Sequence, residues 1–175
     1  MYQPHQFGRP EQIPVMADFG GEHITRYTTS THDKSGYLTT EPDVIQEMID
    51  HYIAKIDAAV DEISFYREDR QKGADSLLVS YGVTSRAADL AVDQVRSRGK
   101  KVSSLVLQTI YPVPEQVIKG AFAGIRKVIV PEMNMGQYRL EIERLAPDGV
   151  EVVGVNKMDT TLISPAEIAE QGGLS

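Results

Sequence analysis

The feature that most constrains the fold of this chain lies between residues 74 and 137, where strand-like apolar runs alternate with runs of helical spacing. Short polar loops follow the strand-like runs. Such alternation is typical of an open, mostly parallel α/β sheet, whose ligands and partners gather at the carboxyl ends of the strands. We therefore expect a layered α/β domain over residues 74–175, with any functional residues in the loops at the strand ends.

The strands and helices of this domain can be assigned from hydrophobic spacing. Buried strands are predicted over residues 77–79, 101–110, 127–130 and 150–155. Helices are predicted after each strand, and the first of them ends at Gly99, since glycine is a common helix terminator. The last helix begins at Ser164, since Ser164-Pro165-Ala166-Glu167 has the spacing of a capping box.

The first 73 residues have a different character. Residues 1–41 are rich in proline, glycine and threonine, and we expect an extended arm with at most one strand, over residues 24–28. From Pro42 an apolar stripe at spacings of three and four predicts an amphipathic helix reaching Tyr66, followed by a hinge over residues 67–73. The stripe has two interpretations, which are packing on its own domain and an interface or coiled-coil seam.

Composition excludes several classes of function. A net charge of -7 with scattered basic residues argues against non-specific nucleic-acid binding. The absence of cysteine excludes disulfides, thiolate zinc sites, a catalytic thiol and ligation of an iron–sulfur cluster by cysteines of this chain. No apolar run approaches the roughly 20 residues of a membrane helix, so a cytoplasmic protein is expected.

Two strand-end loops contain the polar residues with the greatest chemical potential. In the loop from Ser80 to Arg86, hydroxyl groups and amides at a helix start could bind an anion, or Thr84 or Ser85 could cap the helix while Gly82 makes the turn. Glu132 follows a buried strand, where it could accept a proton or belong to a structural hydrogen-bond network. After Glu132, we expect Asn134 and Gly136 to shape the loop, and Gln137 belongs to the same structural or interface segment.

A third polar loop, Thr31-His32-Asp33-Lys34-Ser35-Gly36, lies in the N-terminal arm. His23, His32 and Asp33 could bind a metal, but nothing supplies the ligand spacing of a helical metal site. A turn that becomes ordered at an interface is the alternative, and we favour it. We predict no metal site in this chain.

Five segments, taken in order, resemble the C-terminal domain of the alpha subunit of 2-oxoacid:ferredoxin oxidoreductases, most of all the 2-oxoglutarate synthase branch. The upstream segment from Thr31 to Gly36 is similar to the His-Asp loop of that family. The five segments are residues 74–88, 111–114, 128–137, 153–157 and 164–168.

The resemblance implies a three-layer α/β/α fold of the transketolase C-terminal type, with five strands of which one is antiparallel. It also implies an enzyme that converts a 2-oxoacid to its acyl-CoA with thiamine diphosphate, Mg²⁺, iron–sulfur clusters and ferredoxin. The family's pyrimidine-binding domain, with its Tyr-Pro-Ile-Thr-Pro-like motif, has no counterpart here. The chain therefore resembles one piece of the subunit.

Three functions remain open from the sequence: a non-catalytic domain that completes the oxidoreductase by packing on its partners, a stand-alone small-molecule or nucleotide-binding module, and a dimerisation module. We favour the first, as part of a homo- or hetero-oligomer, and assign no catalytic residue and no cofactor to this chain alone. The residues expected to act in structure or assembly are Thr31, His32, Asp33, Gly36, Ser80, Gly82, Thr84, Ser85, Arg86, Glu132, Asn134, Gly136 and Gln137.

Overall fold

Strands and helices alternate from residue 76 onward in the computed structural model, which describes residues 2–27 and 30–174. Two compact units are present, Met1–Glu62 and Ile63–Ser175. The elements of the second unit are β1 (Tyr66–Asp69), β2 (Ser76–Tyr81), α3 (Thr84–Ser97), β3 (Ser103–Leu107), α4 (Glu115–Ala121), β4 (Lys127–Glu132), α5 (Gln137–Leu145), β5 (Glu151–Asn156) and α6 (Pro165–Gln171).

The five strands form one sheet in the order β1-β3-β2-β4-β5. All neighbours are parallel except β1, which runs antiparallel to β3. Helices α3 and α6 cover one face of the sheet, with Leu78, Ile129 and Ile168 in the core. Helices α4 and α5 cover the other face around Leu105 and Ile142. The expected three-layer α/β/α architecture with a mostly parallel five-stranded sheet is confirmed.

Two helix ends in the second unit, the start of α6 and the end of α3, form as the sequence predicts. Ser164 accepts a hydrogen bond from the backbone N–H of Glu167, whose carboxylate accepts one from the N–H of Ser164, which completes the capping box of α6. Gly99 follows α3 with a φ of 81°, a conformation that glycine adopts without a Cβ penalty.

The hinge expected over residues 67–73 is wrong, because Tyr66–Asp69 is a strand at the edge of the sheet. Its four residues are all exposed, so the segment has none of the apolar alternation by which a strand is recognised. The strand is set by pairing instead, since Tyr66 to Asp69 lie opposite residues 107 to 104 of β3. Just before it, the carbonyl of Phe65 accepts hydrogen bonds from the N–H groups of Gln108 and Thr109.

The first unit contains an arm, which has no regular strand in its described residues 2–27 and 30–41, and the helix α1 (Pro42–Ala58). The expected helix to Tyr66 is wrong in length: α1 ends at Ala58, where the N–H of Ala59 bonds to Ile56 three residues back. A separate turn of helix, α2 (Val60–Ile63), follows. Residues 24–27 of the expected strand are irregular, and Thr28 lies outside the described residues.

Membrane insertion through a helix finds no support in the described part of the chain. None of its helices combines the length and the apolar character that crossing a bilayer requires.

Candidate functional site at the carboxyl ends of the strands

The sheet of the second unit splits between its two central strands. Residues 76–78 of β2 pair with residues 127–129 of β4, and no pairing is found between these strands beyond that level. In contrast, β2 stays paired with β3 as far as Tyr81, and β4 stays paired with β5 as far as Glu132. The chain continues from β2 to β3 on one side of this gap and from β4 to β5 on the other, so the strand order reverses at the gap. Open α/β sheets bind ligands at such a switch point.

Glu132 lies in this gap and is 1% exposed. Its carboxylate accepts three hydrogen bonds, from the hydroxyl of Tyr81 at 2.8 Å and from the backbone N–H groups of Tyr138 at 2.9 Å and Arg139 at 3.1 Å. The two backbone donors belong to the first turn of α5, where the helix dipole favours negative charge. A buried carboxylate needs such partners. Moving a neutral polar group out of water without a hydrogen bond costs about 2–7 kcal/mol, and moving a charged group costs more.

Asn134 shapes the loop that follows Glu132. Its side-chain oxygen accepts hydrogen bonds from the N–H groups of Gly136 at 2.7 Å and Gln137 at 3.1 Å. Its amide group donates to the hydroxyl of Tyr81 at 2.9 Å. Gly136 has a φ of 90°, which disfavours any residue with a Cβ. These contacts support the loop-shaping role expected of Asn134 and Gly136, and the N–H of Gln137 takes part as a donor to Asn134.

Tyr81 connects the two sides of the gap, although it is not among the residues that the sequence led us to expect in a structural role. Its hydroxyl donates to Glu132 and accepts from Asn134, so that it fills the crevice between β2 and β4. Burial, with the nearby Glu132 carboxylate, raises the pKa of Tyr81 to about 12, which keeps the hydroxyl protonated at neutral pH. The sequence feature that could have identified Tyr81 is its position two residues after the apolar run Leu77-Leu78-Val79, near the end of the expected strand.

The loop from Ser80 to Arg86 is a closed turn. The hydroxyl of Thr84 donates to the carbonyl of Tyr81 at 2.6 Å, and that of Ser85 donates to the carbonyl of Gly82 at 2.7 Å. The N-cap of α3 is Val83, which has no side-chain capping bond. The cap expected from Thr84 or Ser85 is therefore wrong, because both residues already lie inside the helix and donate to the turn.

The same loop offers little to an anion. The N–H groups of Ser85 and Arg86 point to the carbonyls of Gly82 and Val83, each at 3.3 Å. Ser80 is buried at 1% exposure and takes no part in the loop surface. Gly82 has a φ of 57°, as expected for the residue that makes the turn.

The loop from Thr31 to Gly36 lies in the other unit and is also held by its own contacts. Asp33 accepts hydrogen bonds from the N–H groups of Ser35 at 2.8 Å and Tyr37 at 3.0 Å. The hydroxyl of Thr31 donates to the carbonyl of Thr39 at 2.8 Å. These bonds are typical of a structural turn.

Gly36 and His32 of this loop are both held in place by neighbouring groups. A Cβ on Gly36, whose φ is 82°, would lie 2.7 Å from the carbonyl oxygen of Arg26. Both ring nitrogens of His32 are engaged, one with the carbonyl of Asp33 and the other with the hydroxyl of Tyr52. Among the described residues, no three histidine, cysteine, aspartate or glutamate side chains are grouped to hold a metal ion.

The loops around the filled crevice contain exposed hydrophobic side chains. Large hydrophobic side chains with exposures between 43% and 77% stand in all four loops that follow the parallel strands. Among the described residues of the loops at the opposite, amino edge of the sheet, no large hydrophobic side chain is exposed. The exposed side chains at the carboxyl edge, here called the apolar edge, are Val83, Ile110, Tyr111, Met135, Met158 and Leu162.

The second unit thus presents an edge with exposed hydrophobic side chains around a buried carboxylate. Glu132 is 1% exposed and accepts three hydrogen bonds from the protein itself, which makes it part of a structural hydrogen-bond network. The chemistry that this arrangement can perform is to hold four loops in fixed positions for another surface.

Comparisons with known proteins agree with this architecture. Residues 74–168 match the family described as pyruvate:ferredoxin oxidoreductase core domain II. The chain is 34% identical over 166 residues to the 2-oxoglutarate synthase subunit KorA of Methanocaldococcus jannaschii, and 32% identical over 164 residues to that of Methanothermobacter thermautotrophicus. These alignments cover 95% and 93% of this chain but 44% of each relative, so the chain spans less than half their length.

A solved structure shares the fold. The 2-oxoglutarate:ferredoxin oxidoreductase from Magnetococcus marinus, solved with 2-oxoglutarate, coenzyme A and succinyl-CoA bound, superposes with a TM-score of 0.78 and 21% sequence identity. The match covers 97% of this chain and 30% of that one. At this identity the similarity concerns the fold alone.

Proposed function

Since the chain belongs to the pyruvate:ferredoxin oxidoreductase core domain II family, we propose that it is a non-catalytic, assembly-forming domain of a 2-oxoacid:ferredoxin oxidoreductase. Within that enzyme it corresponds to the C-terminal part of an alpha subunit. The whole enzyme decarboxylates 2-oxoglutarate or a related 2-oxoacid oxidatively to its acyl-CoA, uses thiamine diphosphate, and passes electrons to ferredoxin in the cytoplasm.

The observation that carries the proposal is the one-sided distribution of exposed hydrophobic side chains. Six of them surround the filled crevice at the carboxyl edge, and Phe65, which precedes the antiparallel strand at the same edge, is 61% exposed as well. A concentration of exposed hydrophobic side chains on one edge of a domain is typical of a site for another protein surface. The curated relatives are named as subunits and are more than twice as long as the matched region, which supports a covering partner within the same enzyme.

The residues of this chain do not fit the cofactors of the reaction. It has no cysteine to hold an iron–sulfur cluster, and its described residues include no group of three metal-binding side chains for Mg²⁺. The crevice where a diphosphate would enter an α/β sheet is filled by Tyr81 and Glu132. We assign thiamine diphosphate, Mg²⁺, the clusters and coenzyme A to other parts of the complex.

Co-purification of the chain with the subunits encoded beside it tests the assembly role. Met135→Asp with Met158→Asp places two charges on the apolar edge, and we expect at least a tenfold loss of co-purified partner. The matched control is Leu90→Asp with Leu140→Asp, which changes two exposed leucines on helices α3 and α5 and should retain the partner. Equal recovery of partner with both double variants would contradict the proposal.

A ligand screen distinguishes this role from a stand-alone binding module. Any molecule that binds the folded chain raises its unfolding temperature. We expect coenzyme A, thiamine diphosphate and nucleotides to leave the unfolding temperature of the isolated chain unchanged, and stabilisation by any of them would favour the binding module.

Dimerisation through α1 is the second candidate function, and the exposure of that helix supports it. Ile49 and Ile53 are 41% and 56% exposed, and His51 is the one residue of α1 that is buried. A helix with an uncovered apolar stripe can pack against a second copy.

A further inference from the structure

All four histidines of the chain lie in the first unit, and three of them meet around one cavity. The cavity has a volume of about 290 Å³ and is lined by His5, His32 and His51 together with residues of the arm and α1. The fourth, His23, is exposed and stacks on Tyr2. The clustering brings three imidazole rings into one partly buried site.

His5 and His32 lie ring against ring, with centroids 3.9 Å apart. The Nε2 of His5 lies 3.0 Å from the carbonyl oxygen of Arg26, and the Nδ1 of His32 lies 3.1 Å from that of Asp33. A carbonyl only accepts, so both nitrogens carry the hydrogen. The remaining nitrogen of His32 lies 3.0 Å from the hydroxyl of Tyr52, so both ring nitrogens of His32 have a hydrogen-bond partner.

His51 attaches a second part of the arm to α1. It is 3% exposed, and its Nδ1 donates to the carbonyl of Pro10 at 2.6 Å. Its ring stacks on Phe7 with centroids 4.0 Å apart and an interplanar angle of 5°. Residues 5–10 are therefore attached through imidazole rings at both ends.

We propose that this three-histidine cluster is a pH-sensitive clamp that holds residues 2–12 on the rest of the first unit near neutral pH and releases them in mild acid. The rings of His5 and His32 have centroids 3.9 Å apart and are tilted by 33°, and two imidazolium charges at that distance repel each other strongly. Release of the arm separates the rings and gives each of them access to water, so that they can take up protons freely.

The carboxylates near the cluster are already engaged. Asp33 accepts from the N–H groups of Ser35 and Tyr37, and Glu47 forms an ion pair of 2.6 Å with Lys34. Asp33 does favour a charged His5, but less than burial disfavours it. Neither carboxylate makes a direct hydrogen bond to an imidazole among the contacts described.

The other groups that face the cluster are cationic or neutral. Lys34 lies 4.9 Å from the ring centre of Phe7, and Lys55 lies 5.1 Å from that of Tyr52. Tyr27 approaches His5 edge to face. Burial is the main cause that lowers the pKa of His5, and the charges of neighbouring histidines add to it against the raising effect of the Arg26 carbonyl.

The direction of the pH effect follows from linkage. A histidine whose pKa is lowered in the docked state stabilises docking fully above its ordinary pKa of about 6.5, and this stabilisation is lost as the pH falls below that value. One proton taken up on release changes the docking equilibrium by up to tenfold per pH unit. The effect depends on the first unit alone and is independent of the proposed assembly role.

Hydrogen exchange of the full chain at pH 7.5 and 5.5, corrected for intrinsic rates, tests the clamp. We expect amides of residues 2–12 to lose about tenfold in protection at pH 5.5, while β2 and β4 keep theirs. His5→Gln with His32→Gln should remove most of this pH dependence, since only His51 of the cluster remains, and the control His23→Gln should retain it in full. A full response in the double variant, or none in the unmodified chain, overturns the proposal.

The double variant could release the arm at every pH and would then show no pH dependence for a trivial reason. Nuclear magnetic resonance of the unmodified chain provides a test that does not depend on that variant. We expect the His5 ring to titrate below 6.5, with the backbone signals of residues 2–12 shifting over the same range. A His5 midpoint at or above 6.5, or backbone signals that do not move with it, would equally overturn the proposal.

Discussion

The hydroxyl of Tyr81 donates a hydrogen bond of 2.8 Å to the carboxylate of Glu132 across two strands that are no longer paired at that level. The bond replaces the missing backbone ladder between β2 and β4. It also fixes the starting point of α5, because the same carboxylate accepts the N–H groups of Tyr138 and Arg139.

Replacing this carboxylate by an amide should weaken the domain. In Glu132→Gln the new NH₂ group competes with the N–H donors of α5, so one buried donor loses its acceptor. We expect a loss of about 1–3 kcal/mol in the free energy of unfolding, measured with urea. Glu170→Gln, at an exposed position of α6, is the control and should change stability by less than about 0.5 kcal/mol. Normal assembly combined with lost turnover in Glu132→Gln would instead make this residue catalytic.

Alkaline pH should loosen the same contact. The pKa of Tyr81, about 12, lies above the ordinary value of 10, so the folded state holds this proton more tightly than the unfolded state. Its stabilising contribution is complete below pH 10 and declines as the pH rises from 10 toward 12. We expect Tyr81→Phe to lose less stability than the unmodified chain over that range in urea unfolding. The exposed Tyr111→Phe should behave like the unmodified chain, and an identical decline in all three proteins would refute the prediction.

The isolated chain should be folded and inactive. It has no cysteine for a cluster, and its strand-end crevice is filled. We expect no dye reduction with 2-oxoglutarate, thiamine diphosphate, Mg²⁺ and coenzyme A, while circular dichroism shows a folded α/β protein. Turnover by this chain alone would show that it contains a complete reaction site.

Charging the stripe of α1 should separate any dimer without unfolding the sheet. Ile49→Asp with Ile56→Asp places two carboxylates in the apolar stripe, and burying them unpaired between chains is strongly unfavourable. We expect light scattering to shift from dimer or larger species to monomer, with the unfolding transition of the second unit retained. Unfolding of the whole chain would mean that the stripe belongs to a core.

The layered fold was predictable because its signals are local. Apolar strand runs, helical spacing and the capping box at Ser164 each report on a few neighbouring residues, and each was confirmed. The exposed strand β1 was not predictable in this way, since its four polar residues are held by pairing with β3, about 40 residues away along the chain.

The site was predictable in part for the same reason. Glu132 was expected to be either a proton acceptor or a structural carboxylate, and its position after a buried strand indicated burial but not its partners. Tyr81, the residue that joins it, is 51 positions away, and its role depends on how far β2 and β4 separate. Thr84 and Ser85 were misjudged because the helix begins one residue earlier than a capping hydroxyl requires.

The one-sided distribution of apolar surface also determines where the domain can be altered. Residues 98–102 and 147–150 connect helices back to strands at the amino edge and expose no large hydrophobic side chain in the part of the chain described. Affinity tags, fluorescent proteins or inserted domains placed in these turns leave the apolar edge free. The loops after β2 and β4 do not offer this tolerance, because an insertion there would interrupt the contacts among Tyr81, Glu132 and Asn134.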